Sequence, residues 1–175
     1  MNIKTQRLTI TRFDLSMAQT VHENSLDDDN RKFVPDEVFE TVEHAKETLE
    51  YLIGVYRTGN GPLVCPVVLK SGENIGYVQL VPIKEGYEIG YHIAKKYTRK
   101  GYATEAVKAF LSYIMPQKNI NKVYGICVAE NTASVRVMEK CGFTKEYEGV
   151  GLFQSEEKHI CRFVFEIKNH LLQIT

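Results

Sequence analysis

The sequence lacks the features that mark secreted, membrane-spanning and strongly charged proteins. Its 22 Lys and Arg residues balance 22 Asp and Glu residues, so no net charge draws the whole molecule to nucleic acid or to an anionic membrane. No stretch approaches the ~20 apolar residues that a membrane span requires, and residues 1–5 do not begin a secretion signal. We therefore expect a cytoplasmic protein that binds neither nucleic acid nor membranes, and any bound anion must be met by local groups.

The spacing of the cysteines does not indicate a metal site. Cys65, Cys127, Cys141 and Cys161 form no CxxC or other metal-type spacing, and three of them lie in apolar runs. The sequence predicts free thiols and no metal site.

No repeat, low-complexity tract or linker divides the chain. At 175 residues, of which 43% are hydrophobic, it can bury roughly 70% of the surface that its unfolded form exposes. We expect a single domain over residues 1–175, and either a monomer or a homodimer.

The apolar residues alternate between strand and helix periods along the chain. The predicted strands cover residues 7–12, 64–69, 74–81, 87–93, 123–128, 143–149 and 160–167. The predicted helices follow Asp14, follow Thr41 as far as Gly59, and cover 104–115 and 132–140. The unit 87–128 requires a parallel crossover, whereas the three strands of 64–93 form an antiparallel meander. The fold class is therefore mixed α/β (α+β), with a mostly antiparallel sheet of about seven strands and about four helices.

A basic, glycine-containing turn over residues 97–106 joins a strand to a helix. The first helical turn offers unpaired backbone N–H groups and a positive dipole end, Gly101 and Ala103 let oxygens approach the backbone, and Arg99 and Lys100 add charge. This arrangement suits a pyrophosphate. The chain has no GxxxxGK[ST] or GxGxxG pattern, so ATP and NAD loops are disfavoured. An ordinary tight connection with two solvated bases fits this segment equally well.

A second stretch follows the strand over 123–128. Asn131 is a good N-cap, and Ser134 stands three residues later, where side chain and backbone can satisfy each other in a capping-box-like pair.

Together these stretches resemble, in order and separation, the GNAT superfamily of N-acetyltransferases, and most closely its Rim-type branch, which acetylates the N-termini of ribosomal proteins. The motifs that carry the resemblance are Thr5-Gln6-Arg7-Leu8, Glu88-Ile89-Gly90-Tyr91, Lys100-Gly101-Tyr102-Ala103-Thr104-Glu105-Ala106, and Asn131 through Ser134 to Gly142-Phe143. There are two departures. Thr98 stands where a glutamine or arginine usually opens the phosphate loop, and Met138 where many members carry a tyrosine.

The resemblance implies that acetyl-CoA is the cofactor and that a primary amine attacks its thioester directly. It also implies a splayed parallel strand pair with a backbone N–H as oxyanion donor. The cofactor contacts that it implies are Ile93, Arg99, Lys100, Gly101, Tyr102, Ala103, Thr104, Asn131 and Ser134.

Glu88 and His92 share one face of a predicted strand, with Gly90 between them as a sign of a bulge or a close backbone approach. Glu88 is the candidate base, acting through water, and Ser134 takes from the Rim-type branch the role of donor to the thiolate. A solvated carboxylate, a structural histidine and a capping serine are the alternatives. Because an α-amine (pKa ~7.8) costs about 3.5 kcal/mol less to neutralise than a lysine amine, a weak base favours the α-amine.

Acceptor recognition falls to the segment 26–40. Five acids there either attract a cationic amine or, as is more common, form a solvated acidic loop: Asp27, Asp28, Asp29, Asp36 and Glu37. Phe33, Val34 and Phe39 line a pocket or, as we favour, anchor the loop. Ribosomal-protein N-termini, other peptides, polyamines, aminoglycosides and small metabolites all stay open as acceptors. The rival functions are a catalytically silent acyl-CoA-binding sensor or subunit and a small nucleotide-binding domain.

Overall fold

A computed structural model describes residues 1–167 and contains one mixed sheet in which eight strands follow the order β1-β2-β3-β4-β5-β6-β8-β7. The strands are β1 (Ile3–Lys4), β2 (Leu8–Ile10), β3 (Leu63–Leu69), β4 (Asn74–Ile83), β5 (Gly86–Ile93), β6 (Lys122–Val128), β7 (Thr144–Phe153) and β8 (Glu156–Glu166). Neighbouring strands pair antiparallel except β5 and β6, which pair parallel across a helical crossover.

Five α-helices cover the two faces of this sheet. They are α1 (Ala18–Ser25), α2 (Asp28–Phe33), α3 (Val42–Thr58), α4 (Tyr102–Gln117) and α5 (Thr132–Lys140), and 3₁₀ turns occupy Leu15–Met17, Pro35–Glu37 and Lys95–Tyr97. The capping signals act as predicted for α3: Thr41 Oγ1 accepts a hydrogen bond from the His44 amide, and Gly59 ends the helix in the left-handed conformation.

The sheet separates two apolar clusters, because alternate strand residues point to opposite faces. On one face, Ile89 of β5 packs in a cluster with Val107 and Phe110 of α4 and with Met138 of α5. On the other face the cluster includes Leu49 of α3. The strand β5 therefore shows one face to α4 and α5, and His92 on its other face lines a cavity with Val21 and Asn24 of α1.

The predicted fold class is confirmed, and the structure adds three details. The strand β1 has two residues, too few to show a pattern, and α2 is a polar helix of six residues that shows no apolar stripe. The last two strands are longer than predicted and form a continuous hairpin that turns at Gln154 and Ser155, both with positive φ.

The parallel pairing of β5 with β6 is confined to one position. Glu88 pairs with Tyr124, and beyond this pair, toward Ile93 and Val128, the two strands have no further register. The backbone N–H and C=O groups that a parallel ladder would join are therefore released along the opening between the strands.

All four cysteines are buried free thiols, as expected. No helix within residues 1–167 is long and apolar enough to cross a membrane. In the same part of the chain, no three His, Cys, Asp or Glu side chains come together in a way that could hold a metal ion.

Two glycines should respond oppositely to alanine. A Cβ on Gly76 of β4 would overlap the carbonyl oxygen of His92 on β5, whereas a Cβ on Gly54 of α3 meets no atom within 4 Å. We expect Gly76→Ala to destabilise the fold by about 3 kcal/mol or more. Gly54→Ala should stabilise it by roughly 0.5–1 kcal/mol, because alanine is the better helix former. Urea unfolding measures both changes, and similar changes in the two variants would contradict the register of β4 with β5.

Candidate active site

The loop before α4 presents free backbone amides. Arg99 and Gly101 both adopt positive φ, at 62° and 80°, and Gly101 is the N-cap without any side chain to cap the helix. The first helical bond is donated by the Glu105 amide to the Gly101 carbonyl at 3.1 Å. No group within residues 1–167 accepts a hydrogen bond from the amides of residues 102–104. Three convergent amides at a positive helix end form a site that fits a phosphate.

The N-terminal motif holds this loop in place. Arg7 donates through Nη1 to the carbonyl of Lys100 at 2.8 Å and through Nε to Glu105 Oε2 at 2.6 Å. Thr5 Oγ1 donates to Glu105 Oε1 at 2.6 Å, and the Arg7 guanidinium lies 4.6 Å from the centre of the Tyr102 ring. Burial alone would raise the pKa of Glu105, but the bonds from Thr5 and Arg7 outweigh it and hold that pKa below its usual value. The residues of this motif do not by themselves indicate such a role, because their partners lie far away in the sequence.

Glu88 lies where β5 and β6 begin to separate. It pairs with Val81 of β4 and with Tyr124 of β6, and it is half-buried. Burial raises the pKa of Glu88 to about 7, although the positive charge of Arg162 acts in the opposite direction. A carboxyl group that is half ionised at neutral pH can accept a proton from an amine and release it again.

Two hydroxyl groups meet on the opposite face of the sheet. The Ser134 Oγ lies 2.8 Å from the Tyr91 hydroxyl, which also donates to the Ser134 carbonyl oxygen at 3.1 Å. Asn131 caps α5 as predicted, since its Oδ1 accepts from the Ser134 amide at 3.1 Å. The reciprocal half of the capping box is not made, because the Asn131 amide donates to Val128 instead. Burial raises the pKa of Tyr91 far above neutrality, so its phenol stays protonated.

The two departures from the family pattern have structural explanations. Met138 is 1% exposed and packs against Gly125 of β6, where an added Cβ would lie 2.8 Å from the Met138 sulfur. The phenol that contacts the start of α5 belongs to Tyr91 of β5 and not to a residue of α5 itself. Thr98 Oγ1 donates to the Lys95 carbonyl at 2.8 Å and so closes the 3₁₀ turn before the loop.

The remaining residues of β5 serve the structure. Ile93 packs in the core at 8% exposure. His92 Nε2 lies 3.5 Å from Asp27 Oδ2, which also accepts the Lys95 amide at 3.1 Å. Gly90 forms no bulge, because the register of β4 with β5 is continuous. The alternative prediction for Gly90, a close backbone approach, is also wrong, because the group that lies close to it is the Gln79 side chain.

The acidic segment 26–40 is more ordered than a solvated loop. The carboxylate of Asp27 caps α2. Burial alone would raise the pKa of Asp27, but the contacts with His92 and with the Asn30 and Lys95 amides outweigh burial and lower this pKa to about 2. The side chains of Asp28, Asp29 and Asp36 are exposed, whereas Glu37 turns inward. Phe33, Val34 and Phe39 are half-buried, which agrees with an anchoring role.

The geometry agrees with a known family. Residues 7–144 match the family model described as "Acetyltransferase (GNAT) domain". The chain belongs to the GNAT acetyltransferase family. It is therefore an acetyltransferase of a family whose members act on amines and bind acetyl-CoA or CoA, as the sequence motifs predicted.

Individual GNAT proteins show how far the likeness extends. The chain is 34% identical over 149 residues to the uncharacterized N-acetyltransferase YnaD of Bacillus subtilis, covering 83% of this chain and 84% of that protein. It is 35% identical over 85 residues to the spermidine N(1)-acetyltransferase of Escherichia coli, covering 47% and 46%. The structure of RimL, a ribosomal L7/L12 alpha-N-protein acetyltransferase in complex with coenzyme A, superposes with a TM-score of 0.81 at 17% identity, covering 95% and 98%, and shows the shared fold.

The burial of Glu88 should cost stability at high pH. Because its pKa in the folded protein, about 7, lies above the ordinary 4.5, the charged carboxylate destabilises the fold increasingly as pH rises between these values. We expect Glu88→Gln to raise Tm at about pH 8 by several degrees and to change it little at about pH 4, since 1 kcal/mol shifts Tm by about 2–4 °C in a domain of this size.

The matched control is Glu47→Gln, the same substitution at an exposed position of α3, which should leave Tm unchanged at both pH values. A Tm for Glu88→Gln that follows the wild type at every pH would show that Glu88 is not desolvated.

Proposed function

We propose that residues 1–175 act as one GNAT domain that acetylates a primary amine at the opening between β5 and β6. The observation that carries this proposal is the position of Glu88, a carboxyl with a pKa of about 7 at the point where the two strands separate. A pair of hydroxyl groups, Ser134 and Tyr91, lies on the other face of the same sheet. Groups that can take up and supply protons thus flank one opening.

The loop before α4 fits the pyrophosphate of acetyl-CoA. The amides of residues 102–104 supply three donors, Arg99 and Lys100 supply positive charge, and Gly101 brings the backbone close without a side chain. When bound, acetyl-CoA supplies the acetyl group as an activated thioester. In this assignment the backbone of Ile93 and the start of α5 at Asn131 and Ser134 face the rest of the cofactor.

Glu88 takes up the proton of the acceptor amine, directly or through water. A base with a pKa of about 7 is matched to an α-amine, whose pKa is ~7.8, rather than to a lysine amine near ~10.4. We therefore assign the N-terminal α-amine of a peptide or protein as the first candidate acceptor.

Ser134 supplies a hydrogen bond to the departing thiolate, and Tyr91 positions it. A thiol has a pKa of roughly 8.5, so the thiolate needs a donor and not a strong acid. When the Ser134 hydroxyl donates to the sulfur, it can no longer donate to Tyr91. The Tyr91 phenol, 2.8 Å away, can then donate to Ser134 Oγ, so the hydrogen bond between the two hydroxyl groups is kept.

A polyamine is the second candidate acceptor. The likeness to a spermidine N(1)-acetyltransferase over 85 residues favours it. It also suits a weak base, because a second ammonium nearby disfavours the charged form of the reacting amine and so lowers its pKa.

The function is tested by release of CoA thiol from acetyl-CoA with a panel of dipeptides, polyamines and aminoglycosides. Turnover of at least one amine is expected, with kcat/KM rising through an apparent pKa of about 7. Glu88→Gln should lower kcat by about 10²- to 10⁴-fold and move the profile to higher pH. Tight CoA binding without turnover of any amine would support the silent sensor instead, and a profile unchanged in Glu88→Gln would remove Glu88 as the base.

The phosphate loop is tested by a pair of variants at Gly101. Asp and Asn both tolerate the left-handed conformation that Gly101 adopts, so the pair differs in charge and not in backbone strain. We expect Gly101→Asp to bind CoA at least about tenfold more weakly than Gly101→Asn, because a carboxylate among the phosphates is repelled. Calorimetry measures both affinities. Equal affinities would place the pyrophosphate elsewhere.

A further inference from the structure

One carboxyl oxygen on the acceptor side of the sheet has no partner. Of the five acids predicted to attract a cation, two turn inward, Asp27 and Glu37. Asp27 is paired with His92 and with the Asn30 and Lys95 amides, whereas Glu37 Oε1 accepts a hydrogen bond from Gln79 Nε2 at 3.2 Å. The Oε2 of Glu37 is fully buried, and no group within residues 1–167 donates to it. A buried carboxyl oxygen without a donor is unfavourable, and such a group in a native fold calls for an explanation.

Three elements cooperate to hold Glu37 in this position. The 3₁₀ turn Pro35–Glu37 brings the side chain over the sheet, where Gln79 of β4 reaches up to it. Gln79 has room to do so because the residue opposite it on β5 is Gly90, where an added Cβ would lie 2.6 Å from Gln79 Nε2. The position of the Glu37 carboxyl is therefore determined by its contact with the sheet.

The carboxyl faces a cavity of about 30 Å³ between α1, the 3₁₀ turn and the sheet. Two of its polar walls are paired through their amide nitrogens: Asn24 Nδ2 donates to the Asn74 carbonyl at 2.9 Å, and Asn30 Nδ2 donates to the Ser25 carbonyl at 3.2 Å. This volume accommodates a group of about the size of a water molecule or an ammonium head. Glu37 lines this cavity, and its buried Oε2 has no donor within the described chain.

The cavity lies beside the proposed base. Glu88, Gly90 and His92 share one face of β5, so Glu88 stands two residues, or roughly 6.6 Å, from the glycine that admits Gln79. His92, at the other side of Gly90, lines the cavity. An acceptor that reaches Glu88 with one amine can therefore reach Glu37 with a nitrogen a few bonds away.

We propose that this cavity is an acceptor subsite in which Glu37 binds a second cationic nitrogen of the molecule whose first amine is acetylated at Glu88. The inference rests on the proposed function and specifies its acceptor: an amine that carries a further ammonium group nearby. Burial raises the pKa of Glu37, and a bound ammonium would restore the charge of this carboxylate. The second nitrogen can come from a polyamine or from a lysine side chain next to an N-terminal α-amine.

The test compares matched acceptors in the thiol-release assay. Putrescine is paired with n-butylamine, which has the same carbon chain and one amine, and a dipeptide with lysine in second place is paired with one carrying leucine. In the wild type, kcat/KM should favour the dicationic member of at least one pair by roughly 10- to 100-fold, the range for a hydrogen bond to a charged group. Glu37→Gln, which preserves size and the bond from Gln79, should abolish this preference by lowering kcat/KM for the dicationic members.

Glu47→Gln is the control for loss of one carboxylate and should keep the preference. A preference for putrescine alone identifies a polyamine, and a preference for the lysine dipeptide alone identifies a peptide. Equal rates for both members of each pair, or a preference that survives Glu37→Gln, would overturn the subsite and leave the acetyltransferase proposal intact.

If no amine is acetylated, the proposed function fails, and calorimetry with the CoA complex decides the subsite separately. Putrescine should then bind the wild type at least tenfold more tightly than Glu37→Gln, and equal affinities would show that the cavity holds water only.

Discussion

The site depends on the separation of two strands after a single parallel pair. If β5 and β6 stayed in register, their backbone groups would bond to each other, and no opening would exist between α5 on one face and the acidic segment on the other. Because the pairing stops at Glu88 and Tyr124, the sheet gives access from both faces at one place. Glu88 lies on one face, and Ser134, hydrogen-bonded to Tyr91, lies on the opposite face.

The second constraint joins the start of the chain to the phosphate loop. Thr5 and Arg7 satisfy both oxygens of Glu105, and Arg7 also binds the carbonyl of Lys100. These bonds fix the loop from outside, so its own amides need not be used to hold its shape. A loop that is rigid and has free donors loses little conformational freedom when it binds an anion. Asp27 makes a similar link. Its carboxylate accepts hydrogen bonds from the Asn30 amide of α2 and from the Lys95 amide, so it joins the acidic segment to the 3₁₀ turn before the loop.

Local signals predicted most of the fold. Thr41 and Gly59 bound α3, and the alternation along β5 correctly divided Glu88 and His92 from Ile89 and Ile93, because caps and side-chain periods act over a few residues. The loop that we propose to bind phosphate also has a local signal, since Gly101 and the bases beside it are adjacent in sequence. In contrast, β1 and α2 were missed because neither is long enough to show a period.

The contacts that complete the site could not be predicted in this way. Arg7 meets Glu105 across 98 residues, and Tyr91 meets Ser134 across 43, so each pair is created by the tertiary fold. The inward turn of Glu37 was equally hidden, because the sequence shows five acids of similar type and only burial distinguishes them. Met138 shows the reverse case. It stands where many family members carry a tyrosine, and its packing against Gly125 explains the methionine.

The most direct measurement is a crystal structure of the protein grown with CoA. We expect the pyrophosphate within hydrogen-bond distance of the amides of residues 102–104 and the sulfur in the opening between β5 and β6, with Glu88 on one side and Ser134 on the other. A pyrophosphate bound elsewhere, or a sulfur directed away from that opening, would show that the separation of the two strands does not form the active site.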